Sequence, residues 1–137
     1  MNKPNLEKMQ FTESDIKDRE FLERAIRQET ERLYSSSTTR RNRTKEEIEK
    51  VVRQGKVAEV YLIETGKYRE AADIYHDLVE PNGDRTEVKA YSVMNSNAPH
   101  VQNDLYRIRT GNWNHSKWYI LFNYNEGVYT FLEKIKI

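Results

Sequence analysis

His76-Asp77-Leu78-Val79-Glu80-Pro81-Asn82-Gly83-Asp84-Arg85-Thr86-Glu87-Val88-Lys89 has the pattern of two strands joined by a tight turn. Asn82-Gly83 between strand-like runs marks a hairpin. A two-residue turn would make Pro81 and Asp84 the closing pair, whose hydrogen bonds need an N–H that proline lacks. A three-residue loop suits these residues better. It puts Pro81 and Asn82 at the centre of a type I turn and Gly83 in the left-handed position that follows. Glu80 then closes against Asp84.

In this register Asp77 lies opposite Glu87, with their Cβ atoms roughly 5 Å apart on one face of the hairpin. Lys89 shares that face, and Val88 points the other way into a core. The two-residue turn would have paired Asp77 with Val88 instead. Proline and glycine thus select the register that clusters the charges.

Two carboxylates at this separation can each give an oxygen to one Mg²⁺, which keeps its other positions for water and phosphate oxygen. Such a metal lowers the pKa of an attacking water and stabilises charge building on phosphorus. The Lys89 ammonium is placed to orient that water or to neutralise the developing charge. A solvated hairpin face with a surface ion pair is the plainer alternative. The apolar Ile74-Tyr75, Leu78-Val79 and Val88 argue against it, because they mark buried strands.

Asp77, Glu87-Val88-Lys89 and the intervening Pro81-Asn82-Gly83 resemble the active-site hairpin of the PD-(D/E)XK nuclease superfamily, particularly type II restriction endonucleases. Gly55-Lys56-Val57-Ala58-Glu59, opening an apolar helical stretch, resembles the helix that supplies a further acidic residue in many members. The likeness covers roughly residues 55–92, and His76 stands where the motif has its proline. It implies that Asp77 and Glu87 ligate the metal, with the backbone carbonyl of Val88 as a further ligand. Lys89 is then the catalytic lysine, and Glu59 reaches in from its helix to hold a second metal or a water. The implied fold is a restriction-endonuclease-like mixed β-sheet flanked by helices.

Composition is compatible with this. A length of 137 residues suits one domain, with 36% apolar and 33% charged residues and no apolar run approaching a membrane span. Met1–Gln10 is polar and lacks the apolar stretch of a signal peptide, and there is no cysteine. The cysteine count excludes a disulfide framework and a thiolate zinc site, and the expected compartment is the cytoplasm. Net charge is only +1, but it is unevenly spread: residues 1–34 carry −1, 35–58 carry +4, 59–89 carry −4 and 90–137 carry +2. Carboxylates for a cation thus lie between basic stretches suited to phosphates.

Along the chain, Thr12 or Ser14 is placed to cap a first helix running to about Tyr34, with Ile16, Leu22, Ala25, Ile26 and Leu33 as its apolar stripe. Its stripe can pack on the core or on a second subunit. The polar, then basic stretch Ser35–Arg43 is expected to be a loop, with Arg40, Arg41 and Arg43 as candidate phosphate contacts. Thr44-Lys45-Glu46-Glu47 has capping-box spacing and starts a second helix, which Gly55 is expected to end or bend. Lys67–Asp73 fits a strand or a turn. Trp118–Tyr124 fits a buried central strand, Gly127 a turn and Val128–Leu132 a closing strand.

Asn95–Asn103 is amide-rich and expected to be a loop. Asn95, Asn97, Gln102 and Asn103 are candidates to read adenine edges, and Arg107, Arg109 and Lys117 to meet guanine or phosphate. His76, His100 and His115 do not form a zinc motif.

The expectation is a single domain over 1–137, with an N-terminal helix and basic loop over 1–43 and a catalytic core over 44–137. Asp77, Glu87 and Lys89 lie at the sheet edge. The activity implied is Mg²⁺-dependent hydrolysis of DNA, with Mn²⁺ as substitute, by a site-specific restriction-type enzyme. Cutting both strands favours a homodimer. The alternatives are a structure-specific nuclease such as a junction resolvase, or a nucleic-acid-binding module that keeps the fold without cutting.

Overall fold

Four successive residues of the apolar run near the C-terminus, Tyr119, Ile120, Leu121 and Phe122, are fully buried. A strand buried on both faces needs cover above and below, so the chain must build three layers. The computed structural model, which describes residues 6–36, 43–71, 77–93, 95–111 and 116–137, has that form. Its sheet contains β1 (Gln10–Thr12), β2 (Arg69–Glu70), β3 (Leu78–Val79), β4 (Arg85–Tyr91), β5 (Trp118–Asn125) and β6 (Val128–Lys136). The strand order is β1-β6-β5-β4-β3-β2, and it is mixed: β4 and β5 run parallel while the other neighbours are antiparallel.

Helices α1 (Arg19–Tyr34) and α2 (Lys45–Glu64) cover one face. Leu22 and Ile26 of α1 and Val52, Val57, Ala58, Val60 and Leu62 of α2 form one core with Leu78, Val88, Ala90, Ile120 and Phe122 of the sheet. Helix α3 (Pro99–Thr110) covers the other, packing Val101 and Leu105 against Tyr119 and Leu121. Alternation along β5 therefore feeds two cores. No helix among the described residues is long and apolar enough to cross a membrane.

The expected hairpin register is present. Leu78 pairs with Thr86 and Val79 with Arg85. The turn closes through the Gly83 N–H to the Glu80 carbonyl at 2.9 Å and the Glu80 N–H to the Asp84 carbonyl at 2.8 Å. Gly83 has φ +94°, the left-handed conformation the loop requires. The capping box is also formed: the Glu47 N–H donates to Thr44 Oγ1 at 3.1 Å, and the Thr44 N–H to Glu47 Oε1 at 2.8 Å.

Other expectations need correction. Thr12 precedes only a short 3-10 turn, and α1 begins later, at Arg19, with the Asp18 carboxylate accepting from the Phe21 N–H. Ile16 is buried but lies outside the helix, whose buried stripe is Leu22, Ile26 and Thr30. Gly55 does not end α2, which runs unbroken from Lys45 to Glu64. A mid-helix glycine costs about 1 kcal/mol, less than the burial of Val52, Val57 and Ala58 around it supplies. Residues expected to be loop up to Asn103 open α3 at Pro99, because a parallel β4–β5 pair needs a crossover, usually a helix. Phe11 was not anticipated as core. It stacks between Tyr61 and Tyr129, at 3.9 and 4.8 Å between ring centroids, which anchors β1 beside β6.

The beginnings of α1 and the end of α2 are tied together. Glu64 accepts the N–H groups of Lys17 and Asp18 at 2.8–3.1 Å, and Arg53 reaches Glu13 and Glu23 at 2.7–2.9 Å. These links hold α2 against α1 and the segment that leads into it.

Candidate functional site

β4 alternates Thr86, Val88 and Ala90, all buried, with the half-buried Glu87, Lys89 and Tyr91. Val88 and Ala90 belong to the core under α1 and α2, so strand alternation sends Glu87, Lys89 and Tyr91 to the α3 face. Both carboxylate and ammonium are thus fixed on an interior strand, third from the sheet edge rather than on the edge itself.

Asp77 sits one residue beyond the last β3–β4 pair. Its Oδ2 accepts the Val88 N–H at 2.7 Å. A backbone N–H lies in the plane of the sheet, so Asp77 stands at the strand's flank between the two faces instead of simply facing Glu87. Strand geometry turns the N–H and the carbonyl of one residue to the same side. The Val88 carbonyl therefore opens towards the flank that Asp77 occupies.

From the opposite face comes Glu59, a buried residue of α2. Its Oε1 pairs with Lys56 Nζ at 3.1 Å, one turn earlier on the same helix. A groove of about 410 Å³ is lined by Lys56, Glu59, Asp77, Val88, Lys89, Gly55, Glu29 and Tyr91, among others. A smaller cavity of about 70 Å³ behind it also has Lys56, Glu59 and Asp77 in its wall. Residues 59, 77 and 89, far apart in sequence, thus share one groove, and Glu87 adjoins them through its charge.

The electrostatics follow from this crowding. Burial pushes the Glu59 carboxyl up to about 8, and the Asp77 charge adds to the shift against the opposing Lys56 ammonium. Burial likewise raises Glu87 to about 8, again with Asp77 contributing, while Lys89 opposes. Asp77 is raised by burial, and Lys89 and the Val88 N–H hold the rise back. At Lys89 burial disfavours the charge, but Asp77, Tyr91, Asp104 and Glu87 outweigh it and the pKa is raised. Asp77 lies close enough to repel both Glu59 and Glu87, and the ammoniums of Lys56 and Lys89 only partly compensate.

The donors are all oxygen: Asp77, Glu87, Glu59 and the Val88 carbonyl. Oxygen sets of this kind suit Mg²⁺ or Mn²⁺, which accept few protein ligands and keep waters. Among the described residues no three Asp, Glu, His or Cys side chains form a ready-made metal cage.

Several neighbours were not anticipated. Asp104 of α3 accepts from the hydroxyls of Tyr91 at 2.9 Å and Tyr119 at 3.1 Å, and its charge acts on Lys89 and Glu87. Ser116 Oγ donates to Glu87 Oε1 at 3.4 Å. Lys56 had a local signal, since i and i+3 share a helix face with Glu59. Asp104, Ser116 and Glu29 had none, because only tertiary packing brings them near.

The proposed nucleic-acid contacts fare unevenly. Arg40, Arg41, His76 and His115 lie outside the described residues, and Arg43 is exposed just before α2. Asn95 Oδ1 accepts from the Asn97 N–H at 2.8 Å, and Gln102 Nε2 donates to the Ser96 carbonyl at 2.8 Å, so both amides are engaged in shaping the entry to α3. Asn97, Asn103, Arg107, Arg109 and Lys117 are exposed. His100 lies edge-on against Tyr91, with ring centroids 4.6 Å apart. No protein-family model matches the chain, and no match to it was found among curated proteins or solved structures.

Proposed function

We propose that this chain is a metal-dependent endodeoxyribonuclease of the PD-(D/E)XK superfamily with a restriction-endonuclease-like fold. The observation that carries this reading is that Glu59 of α2, Asp77 and Lys89 line one groove, with Glu87 two residues before Lys89 on the same strand. An antiparallel β2-β3-β4 meander followed by the crossover α3 into a parallel β5 also accords with the fold implied by the motif.

In this reading Asp77, Glu87 and the Val88 carbonyl hold one Mg²⁺. When bound, that ion supplies a nucleophilic water at neutral pH and stabilises charge on the phosphate. Asp77 is kept in place by the Val88 N–H, and Glu87 by Ser116. Lys89 stays protonated beside Asp77 and Glu87, and its ammonium orients the attacking water or meets the negative charge developing on the phosphate. The exposed Arg107, Arg109 and Lys117 are available to the DNA backbone. Hydrolysis of both strands calls for two copies of the chain.

The test is incubation with supercoiled plasmid, linear duplex, branched DNA and RNA, with Mg²⁺ or with EDTA. Discrete plasmid fragments that depend on Mg²⁺ support a restriction-type enzyme. Cutting limited to branched DNA points to a resolvase. Tight binding without cleavage of any substrate overturns the catalytic reading.

A further inference from the structure

Lys56 is a charged residue of the groove for which the hydrolytic scheme has no use, and its placement is specific. It lies one helical turn before Glu59 on α2, with Nζ 3.1 Å from Glu59 Oε1. Both side chains are largely buried, at 23% and 12% exposure, so this is not a solvent-screened pair. Both border the groove and the smaller cavity behind it, and Asp77 borders both as well.

We propose that Lys56 is a built-in cation that occupies Glu59, so that the site takes one divalent metal ion per chain, on Asp77 and Glu87. The inference rests on the nuclease reading given above. A second metal at Glu59 would have to displace the Lys56 ammonium from its partner. An ammonium left buried and unpaired is strongly unfavourable.

The lysine supplies at Glu59 the positive charge that a second ion would bring, without needing to be bound from solution.

The test counts Mn²⁺ bound per chain, from the loss of the free-ion signal in electron paramagnetic resonance. It uses the full chain unaltered and as Lys56→Met, Glu59→Gln and the double variant. The expected counts are one ion for the unaltered chain and one for Glu59→Gln. Lys56→Met should bind two, and Lys56→Met/Glu59→Gln should return to one. A second ion on the unaltered chain that disappears in Glu59→Gln overturns the proposal, as does a single ion on well-folded Lys56→Met. If circular dichroism shows Lys56→Met unfolded, the first two counts decide. No Mn²⁺ bound by the unaltered chain defeats the metal-site reading itself, an outcome distinct from two ions bound.

Discussion

The Asp77 carboxylate accepts the backbone N–H of Val88 at 2.7 Å, so the first acidic residue of the site is held by the strand that carries the second and the lysine. A single hydrogen bond thus fixes Asp77 relative to Glu87 and Lys89.

Asp77→Asn keeps an oxygen able to accept from Val88, so the fold should survive with a loss of no more than about 1 kcal/mol. Mg²⁺-dependent DNA cleavage should fall by at least ~100-fold, because the neutral amide is a poor metal ligand. Lys89→Met should lose as much activity while still binding Mn²⁺. Cleavage rates and urea unfolding of the two variants check this, and near-normal cutting by Asp77→Asn would remove Asp77 from the metal site.

With EDTA present, stability should fall as pH rises from about 5 to 8 and level off above that. Glu59 and Glu87 are raised to about 8 in the folded chain, so between the ordinary carboxylate range and that value the folded state binds more protons than the unfolded. Their stabilisation is complete at the acidic end and is lost as pH passes through about 8. The raised Lys56 and Lys89 act above the normal lysine range and leave this window unaffected. Urea midpoints measured across the window should decline for the unaltered chain and decline less steeply for Glu87→Gln, in which Glu59 remains. A midpoint that rises with pH contradicts the expected sign.

Gly83→Ala tests the turn. No atom lies within 4 Å of the added Cβ, so the cost is backbone strain alone at φ +94°. About 1–2 kcal/mol of stability should be lost. A neutral effect in chemical unfolding would mean the turn adopts another register without penalty.

Lys134 should matter for stability and not for chemistry. Its Nζ pairs with the buried Glu80 at 2.8 Å, Glu80 accepts from Thr86 Oγ1 at 2.6 Å, and the ammonium lies 4.8 Å from the Trp118 ring centre. Removing one partner of such a pair strands the other charge, and because Lys134 is partly exposed the expected loss for Lys134→Met is about 2–4 kcal/mol. Cleavage per folded molecule should be unchanged, since neither residue borders the groove. A loss below ~0.5 kcal/mol would class the pair with surface ion pairs.

Pro81, Asn82 and Gly83 carried the hairpin register in their own covalent chemistry: one lacks an N–H and one tolerates positive φ. Thr44 and Glu47 carried their capping box, and the apolar run at Trp118 its buried strand, in local pattern alone. These features follow from interactions within a few residues, where sequence spacing equals spatial spacing. The helix α3 was missed although Val101, Leu105 and Ile108 have helical spacing, because amides and a proline around Pro99 looked like a loop. Its formation is compelled from a distance, by the parallel pairing of β4 with β5.

The site divides the same way. The turn gives Asp77 and Glu87 facing positions along the ladder and puts Lys89 on the face of Glu87, since a two-stranded ladder transmits register residue by residue. That Asp77 lies in the sheet plane against Val88, that Lys56 pairs with Glu59 beside it, and that Asp104 and Ser116 approach Lys89 and Glu87 are matters of how helices rest on a sheet. Packing fixes those distances through the summed contacts of two cores, and a local sequence pattern carries no record of that sum.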